Sequence, residues 1–248
     1  MAKCLIESSL LLIPVLTIAE TLCYIKKMKY KYLILSQFIF FNFFSFSQEI
    51  KEYKAEQKKD SDFFEYEDYE APDKPIGKLV FLKGCSWYCG GGVSSLSSSS
   101  ELEENNGITY SAKNAHDFDK NTAWIEGKND YGIGEFIEYT FDYQKTEKYS
   151  GNLGINRFLI ANGYKKSLKT WKNNSRVKQL KVYLNDKLHS IINLLDSFEI
   201  QTIEIGETIM FPKNTITKLK FEITEVYEGD KYADTAISLL MFDGIGVH

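Results

Sequence analysis

The chain of 248 residues carries 30 basic and 34 acidic side chains, and 44% of its residues are hydrophobic. It is long enough to bury one large core or two small ones. From Gln48 onward, 25 basic residues stand against 32 acidic ones, which is a net charge of −7. Nucleic-acid binding generally requires a basic surface, so this charge balance argues against a nucleic acid as partner.

Two apolar runs open the chain. Residues 1–27 include Glu7 and Glu20, which are costly within a membrane span, so we interpret this stretch as an uncertain leader or an over-extended start. Residues 28–47 combine lysines, an apolar run shorter than a membrane span and small residues before the expected cut. This pattern predicts a signal peptide and a secreted or periplasmic protein. An uncleaved segment would instead anchor the protein and be its only membrane contact.

Residues 48–75 contain ten acidic residues and five lysines and end at Pro75. So highly charged a stretch does not bury a core of its own, and it predicts an acidic flexible linker before a domain at 76–248. Cys85 and Cys89 follow in the sequence CSWYC. A structural zinc site requires four ligands and no second pair is present, so we expect a local disulfide or two reduced thiols.

Short apolar or alternating runs separated by turn residues fill the chain from Ile76 onward, which favours an all-β domain. The predicted strands are Lys78–Lys83, Phe136–Tyr143, Ile155–Ala161, Val177–Asn185, Ser190–Leu195, Gln201–Ile205, Ile216–Val226 and Ile237–Phe242. About eight strands suit a jelly-roll β-sandwich. The serine-rich stretch Ser94–Ser100 predicts a mobile loop.

The stretch Asn114–Phe141 joins a polar loop to an aromatic strand. Its first part carries closely spaced oxygen-bearing side chains, which hydrogen-bond nearby backbone and favour turns. Ile137, Tyr139 and Phe141 then alternate with polar residues, as in a strand with one buried face. Trp124 lies between the two parts and is expected to be a core anchor.

Six motifs between residues 115 and 238 carry a family resemblance. They are AHD at 115–117, TAWIEG at 122–127, YGIGE at 131–135, NGY at 162–164, NSRVK at 174–178 and DTAIS at 234–238. Together they resemble the discoidin-like (coagulation-factor type C) domain that serves as the translocation domain of secreted NAD glycohydrolases. The resemblance runs from about Cys85 to the C-terminus. It implies a galactose-binding-like jelly roll and a binding module, because NAD cleavage in those proteins belongs to a separate domain.

The resemblance also implies a structural Ca²⁺ under the loop that matches Ala115–Thr122. Such a cation takes six to eight oxygen ligands. Asp117, Asp119 and Thr122 are the expected metal ligands. The sequence departs from the family at Leu239, where an acidic residue is common. As an alternative to binding metal, Asp117 and Asp119 would accept hydrogen bonds from backbone amides of their own loop.

A carbohydrate site combines an exposed aromatic ring with polar groups, since sugars present apolar faces and clustered hydroxyls. We expect Tyr131, Tyr164 and Trp171 to be exposed loop aromatics, with Asn162 and Arg176 beside them. The sequence thus predicts a non-catalytic module that binds a glycan or another cell-surface ligand through loops at one end of the sandwich. Alternatively, these aromatics pack the core or pin a loop.

Other function classes stay open. The domain could be a structural or protein-interaction domain that targets a partner enzyme or toxin. The basic run from Lys165 to Lys187 could attract an anionic partner. A hydrolase would require two carboxylates across a cleft, for which Glu126 with Glu135 or Asp117 are the candidates.

Overall fold

The structure is a computed structural model that describes residues 49–57, 63–67, 78–82, 87–90, 92–144 and 153–245, with 63–67 and 78–82 described by their backbone alone. The uncertain leader at 1–27 and the signal peptide predicted at 28–47 lie outside these residues, as does Cys85. Within the described ranges, no helix has the length and apolar character needed to cross a bilayer.

Thirteen strands, one short α-helix and two 3₁₀ helices make up the described chain. The strands are β1 Lys51–Lys54, β2 Glu56–Gln57, β3 Phe63–Glu67, β4 Lys78–Leu82, β5 Ser95–Ser98, β6 Trp124–Ile125, β7 Phe136–Asp142, β8 Gly154–Asn162, β9 Ser175–Leu184, β10 Lys187–Asn193, β11 Gln201–Met210, β12 Ile216–Tyr227 and β13 Thr235–Ile245. The 3₁₀ helices are Trp87–Cys89 and Ala112–His116, and helix α1 is Leu168–Asn173. β3 and β4 form a separate antiparallel pair.

The remaining strands form two layers. One contains β2, β11, β8 and β13 in that order with β6 beside β13, and the other contains β9, β12, β7 and β5 with β10 and β1 beyond β9. Among the described strands, backbone pairing joins the two layers only where the first two residues of β13 pair with the first two of β9. Rings from the two layers touch, since Phe158 in β8 lies 5.2 Å from Phe221 in β12 between ring centroids. The predicted all-β sandwich is therefore confirmed.

The predicted alternation in β7 and β12 is confirmed. Ile137, Tyr139 and Phe141 are fully buried, as are Leu219, Phe221 and Ile223 on the neighbouring strand. The residues between them are two glutamates, a threonine and a lysine on the outer face. Trp124 is also buried, and its indole Nε1 donates to the Ser100 carbonyl at 3.0 Å, so it anchors the core as expected.

The prediction of a mobile loop at Ser94–Ser100 is wrong. Ser95–Ser98 form β5, which pairs antiparallel with β7 at the edge of its layer. Leu96 packs against the main core, and the Ser94 hydroxyl accepts a hydrogen bond from the Asp142 amide at 2.8 Å. Serine is compatible with an edge strand when one apolar residue anchors it and its hydroxyls bond the neighbouring backbone.

The predicted flexible linker at 48–75 differs from the structure at its start. The compact unit begins at Ile50, because β1 pairs with β10 and β2 pairs with β11. Tyr53 packs on the main core and Ala55 is buried. Composition suggested a linker because single apolar residues separated by charges give little local signal, whereas the pairing partners lie about 140 residues away.

Candidate functional site

Four connecting segments meet at one end of the sandwich. Phe136, the first residue of β7, pairs with Glu222 in the last part of β12. Tyr227, the last residue of β12, pairs with Arg176 at the start of β9. The segment before β7, the segment after β12 and the β8–β9 connection therefore emerge together. The Ala112–His116 helix joins them through β6, which pairs with the start of β13. We call this the loop end.

A cavity of about 490 Å³ opens at the loop end. It is lined by Gly107, Ile108, Thr109, Asn114, Asp119, Asn121, Thr122, Tyr164 and Lys166. We call it the loop-end cavity. It joins part of the oxygen-rich loop predicted to hold metal to Tyr164 and Lys166 from the β8–β9 connection. Sequence reasoning included Asn121 in that loop and Lys166 in the basic run, but it did not bring the two together.

The metal-ligand candidates form a compact hydrogen-bonded loop. The Asp117 carboxylate accepts from the Asp119 amide at 2.9 Å and lies 2.7 Å from the Thr122 hydroxyl. The same hydroxyl oxygen is 2.9 Å from the Asp119 carbonyl and 3.2 Å from the Asn114 carbonyl. The Asp119 carboxylate points elsewhere, since it accepts from the Asn121 amide at 2.8 Å. Asp119 thus presents its main-chain oxygen, not its carboxylate, to this cluster.

This cluster fits a hard cation. The Thr122 hydroxyl has one hydrogen to donate, so it can satisfy only one of the three acceptor oxygens around it, although the Thr122 amide also donates to the Asp119 carbonyl at 3.2 Å. Carboxylate, hydroxyl and carbonyl oxygens that lie close together are the ligands that Ca²⁺ takes. Partial burial raises the pKa of the Asp117 carboxyl to about 6, which a cation would reverse. No group of three or more His, Cys, Asp or Glu side chains suited to a metal occurs in the described ranges, so carbonyls would supply much of the ligand set.

Asn162, Trp171 and Arg176 are buried together, and the expectation that Trp171 is an exposed platform is wrong. The Trp171 indole donates to the Asn162 carbonyl at 2.9 Å. The Asn162 side chain bonds both the amide and the carbonyl of Val177. The Arg176 guanidinium lies 4.6 Å from the Trp171 ring centroid. It donates to both carboxylate oxygens of Asp196, at 2.8 and 3.0 Å. These side chains pin the β8–β9 connection.

Tyr164 and Tyr131 lie apart from this network. Tyr164 is only 7% exposed, so it is not the open platform that we expected, but it lines the loop-end cavity. Its ring packs edge-on against Tyr110 at 6.2 Å between centroids. Tyr131 is exposed as expected, outside the cavity lining, and a hydrogen bond to Glu228 raises its pKa. The three aromatics therefore do not share one surface.

Glu126 and Glu135, the carboxylates considered for a hydrolase, both hold loops in place. Glu126 is fully buried, and its two carboxylate oxygens accept from the Thr235 amide at 3.1 Å and the Lys128 amide at 2.7 Å. Its burial raises the pKa of its carboxyl. Glu135 accepts hydrogen bonds from the hydroxyls of Ser99 and Ser100. Glu126 thus ties the segment before β7 to backbone amides, and Glu135 ties it to the serine hydroxyls that follow β5.

His116 ties the oxygen-rich loop to the core. Its Nδ1 lies 2.8 Å from the Leu240 carbonyl, so Nδ1 carries the proton in this contact. Its ring packs against Tyr139 and Phe242 at 5.2 and 5.5 Å between centroids. Burial lowers the pKa of His116 below its usual value, although the hydrogen bond opposes this. Folding therefore favours the neutral form of His116.

We expect His116 to make folding stability fall as the pH drops through about 6.5, the pKa of an unfolded histidine. The unfolded chain then binds a proton that the folded chain resists, so stability present above that pH is lost below it. Urea unfolding between pH 8 and pH 5 should show a weaker dependence in His116→Asn, which keeps a donor to Leu240 but does not titrate. An unchanged pH dependence in that variant would contradict the assignment.

The family model for the NAD glycohydrolase translocation F5/8 type C domain matches residues 87–243. No curated protein matches the chain. Two cryo-EM structures of a mutant of the arabinofuranosyltransferase AftD from mycobacteria are similar at 14% and 16% identity, with TM-scores of 0.40 and 0.41. They cover 70% and 77% of this chain, which spans 12% and 13% of theirs.

Proposed function

Because the chain belongs to the family of NAD glycohydrolase translocation F5/8 type C domains, we propose that it is an exported, non-catalytic module that binds carbohydrate in the loop-end cavity. Binding or translocation is the role that the family suggests. Carbohydrate is the ligand class that the cavity favours among cell-surface ligands. Export would place the module in the periplasm or outside the cell, through the signal peptide predicted at 28–47.

The observation that carries the proposal is a set of polar groups at the cavity that the described chain leaves unused. The Asn121 side-chain amide, the Lys166 ammonium and the Tyr164 hydroxyl make no hydrogen bond to any described residue, and one Asp119 carboxylate oxygen is likewise unused. Ile108, which is 37% exposed, adds an apolar wall. Donors and acceptors beside a small apolar surface suit a sugar, whose hydroxyls do both and whose C–H face is apolar.

A glycan array probed with the full chain tests this proposal. On any glycan that binds, we expect Asn121→Ala and Lys166→Ala each to weaken affinity about tenfold. Each variant removes one hydrogen bond to the bound sugar, and that loss lowers the binding free energy by about 1.4 kcal/mol. Lys169→Ala is the matched control, since Lys169 is an exposed lysine of the same segment outside the cavity lining. The proposal is contradicted if no glycan binds, or if Lys169→Ala weakens the affinity as much as the two cavity variants do.

We expect Ca²⁺ to stabilise the domain through Asp117, Thr122 and the carbonyls of Asn114 and Asp119. Bound there, the cation would neutralise the crowded oxygens and hold the cavity wall. At about 10 mM Ca²⁺ and a dissociation constant of about 0.1–1 mM, the free energy of unfolding should rise by about 1.4–2.7 kcal/mol. Thermal unfolding with Ca²⁺ or with EDTA measures the effect. Thr122→Val should abolish it, and equal stabilisation by Mg²⁺ would indicate a non-specific effect.

The second candidate function is a protein-interaction domain that targets or translocates a partner enzyme or toxin. The family description, which names translocation, supports it. Capture of the same partner with and without competing sugar separates the two functions. Capture that sugar does not reduce, and that survives Asn121→Ala, would favour the protein partner.

A further inference from the structure

A segment that precedes the family-matched region closes one side of the sandwich. We call Lys51–Gln57 the upstream segment. Its first strand, β1, pairs in parallel with β10 over four positions, and its second strand, β2, pairs antiparallel with β11 over two. Among the described strands, β10 and β11 have no other partner on that side. Without the upstream segment, both layers would present an unpaired edge there, and we call the space between these edges the acceptor slot.

Two side chains of the upstream segment fill the acceptor slot. Tyr53 packs against the main core, and Ala55, where the chain crosses from one layer to the other, is 5% exposed. The Ala55 amide also donates to the Asn193 carbonyl at 2.9 Å. The acceptor slot therefore accommodates an extended chain with an aromatic residue followed two positions later by a small residue.

Polar contacts fix the ends of the upstream segment. Lys51 forms an ion pair with Glu207 of β11, and the Asn193 side-chain amide donates to the Glu52 carboxylate. At the other end the Gln57 amide donates to the Ser197 hydroxyl at 2.7 Å. The Lys51 and Glu52 contacts are exposed, so they set register and direction more than affinity.

The fit of the upstream segment is incomplete. The Tyr53 hydroxyl is buried and has no hydrogen-bond partner within the described part of the chain. An unpaired buried hydroxyl costs about 1–3 kcal/mol. A segment with phenylalanine at this position would keep the ring contacts and avoid that cost, so it should bind in the slot more tightly than the chain's own segment.

We propose that the acceptor slot is a peptide-binding site for an extended segment of a partner protein, which adds strands to β10 and β11 and displaces the upstream segment. The preferred peptide has phenylalanine in place of Tyr53, a small residue two positions later and a lysine two positions before, facing Glu207. Sheet edges bind such segments through main-chain hydrogen bonds, and pockets for alternate side chains select the sequence. This site is separate from the loop-end cavity and does not depend on carbohydrate binding.

The tether must be cut before exchange can be measured, because an attached segment competes at a high effective concentration. We would insert a protease site between residues 58 and 62 of the full chain, cleave it, and add a fluorescent peptide of residues 48–58. Fluorescence anisotropy should show binding, and the Tyr53→Phe peptide should bind about tenfold more tightly. The Tyr53→Lys peptide is the control and should not bind.

A second measurement uses the uncut chain, where Tyr53→Phe should raise the urea midpoint of unfolding and the Tyr53→Phe peptide at millimolar concentration should still bind, because the proposal requires that the attached segment can be displaced. It remains informative even if the cleaved protein is difficult to handle. The proposal is overturned if the peptide affinity is the same whichever residue stands at position 53, or if millimolar peptide does not exchange. Loss of the β-sheet circular dichroism spectrum on cleavage would overturn it as well.

Discussion

Arg176→Ala should lower the free energy of unfolding by about 3 kcal/mol. The guanidinium is nearly buried, stacks on Trp171, holds Asp196 with two hydrogen bonds and donates to the carbonyls of Asn174 and Glu228. Removal leaves two carbonyls and a partly exposed carboxylate without their partner, and breaking a buried pair on one side is strongly destabilising. Urea unfolding monitored by circular dichroism measures the loss.

Two variants calibrate that result. Arg176→Lys keeps the charge but cannot form the paired contact with Asp196 or stack in the same way, so we expect an intermediate loss. Lys178→Ala, two positions along β9, removes only an exposed ion pair with Glu225 and should change stability by less than about 1 kcal/mol. If Arg176→Ala instead abolished glycan binding while stability was unchanged, Arg176 would be a ligand contact after all.

Gly132→Ala should be the second severe change, at about 3 kcal/mol. Gly132 has a φ of +66°, and a Cβ there would lie 2.4 Å from Cγ of Glu126. Glu126 cannot retreat without releasing the amides of Thr235 and Lys128, which are buried or half-buried contacts. The variant therefore combines left-handed strain of about 1–2 kcal/mol with overpacking of a buried carboxylate.

Gly134→Ala is the matched control for Gly132→Ala. Gly134 also has a positive φ, of +91°, but apart from its chain neighbours no described residue has a heavy atom within 4 Å of the position that its Cβ would take. It should show the backbone strain alone, about 1–2 kcal/mol. Equal destabilisation of the two variants would mean that the Glu126 contact contributes nothing.

The differing outcomes of the five predicted ligand residues show the limit of loop prediction. Tyr131 is exposed as expected, whereas the Trp171 ring is covered by the Arg176 guanidinium and packs edge-on against Phe198 at 5.7 Å between centroids. Arg176 belongs to the next strand, β9, and Phe198 lies far along the chain. A loop aromatic looks the same in sequence whether it meets water or a distant strand, so only the packed chain decides its exposure.

The sequence alone determined the β-sandwich character, because alternation at Ile137, Tyr139 and Phe141 is a local property of a strand with one buried face. It also determined the oxygen-rich loop, whose side chains bond their own backbone within nine residues along the chain. The tertiary structure decided the rest: which polar groups surround the loop-end cavity, and that Lys51–Gln57 complete both layers. Those features depend on contacts between residues far apart in the chain, and a contact of that kind leaves no periodic pattern in either partner.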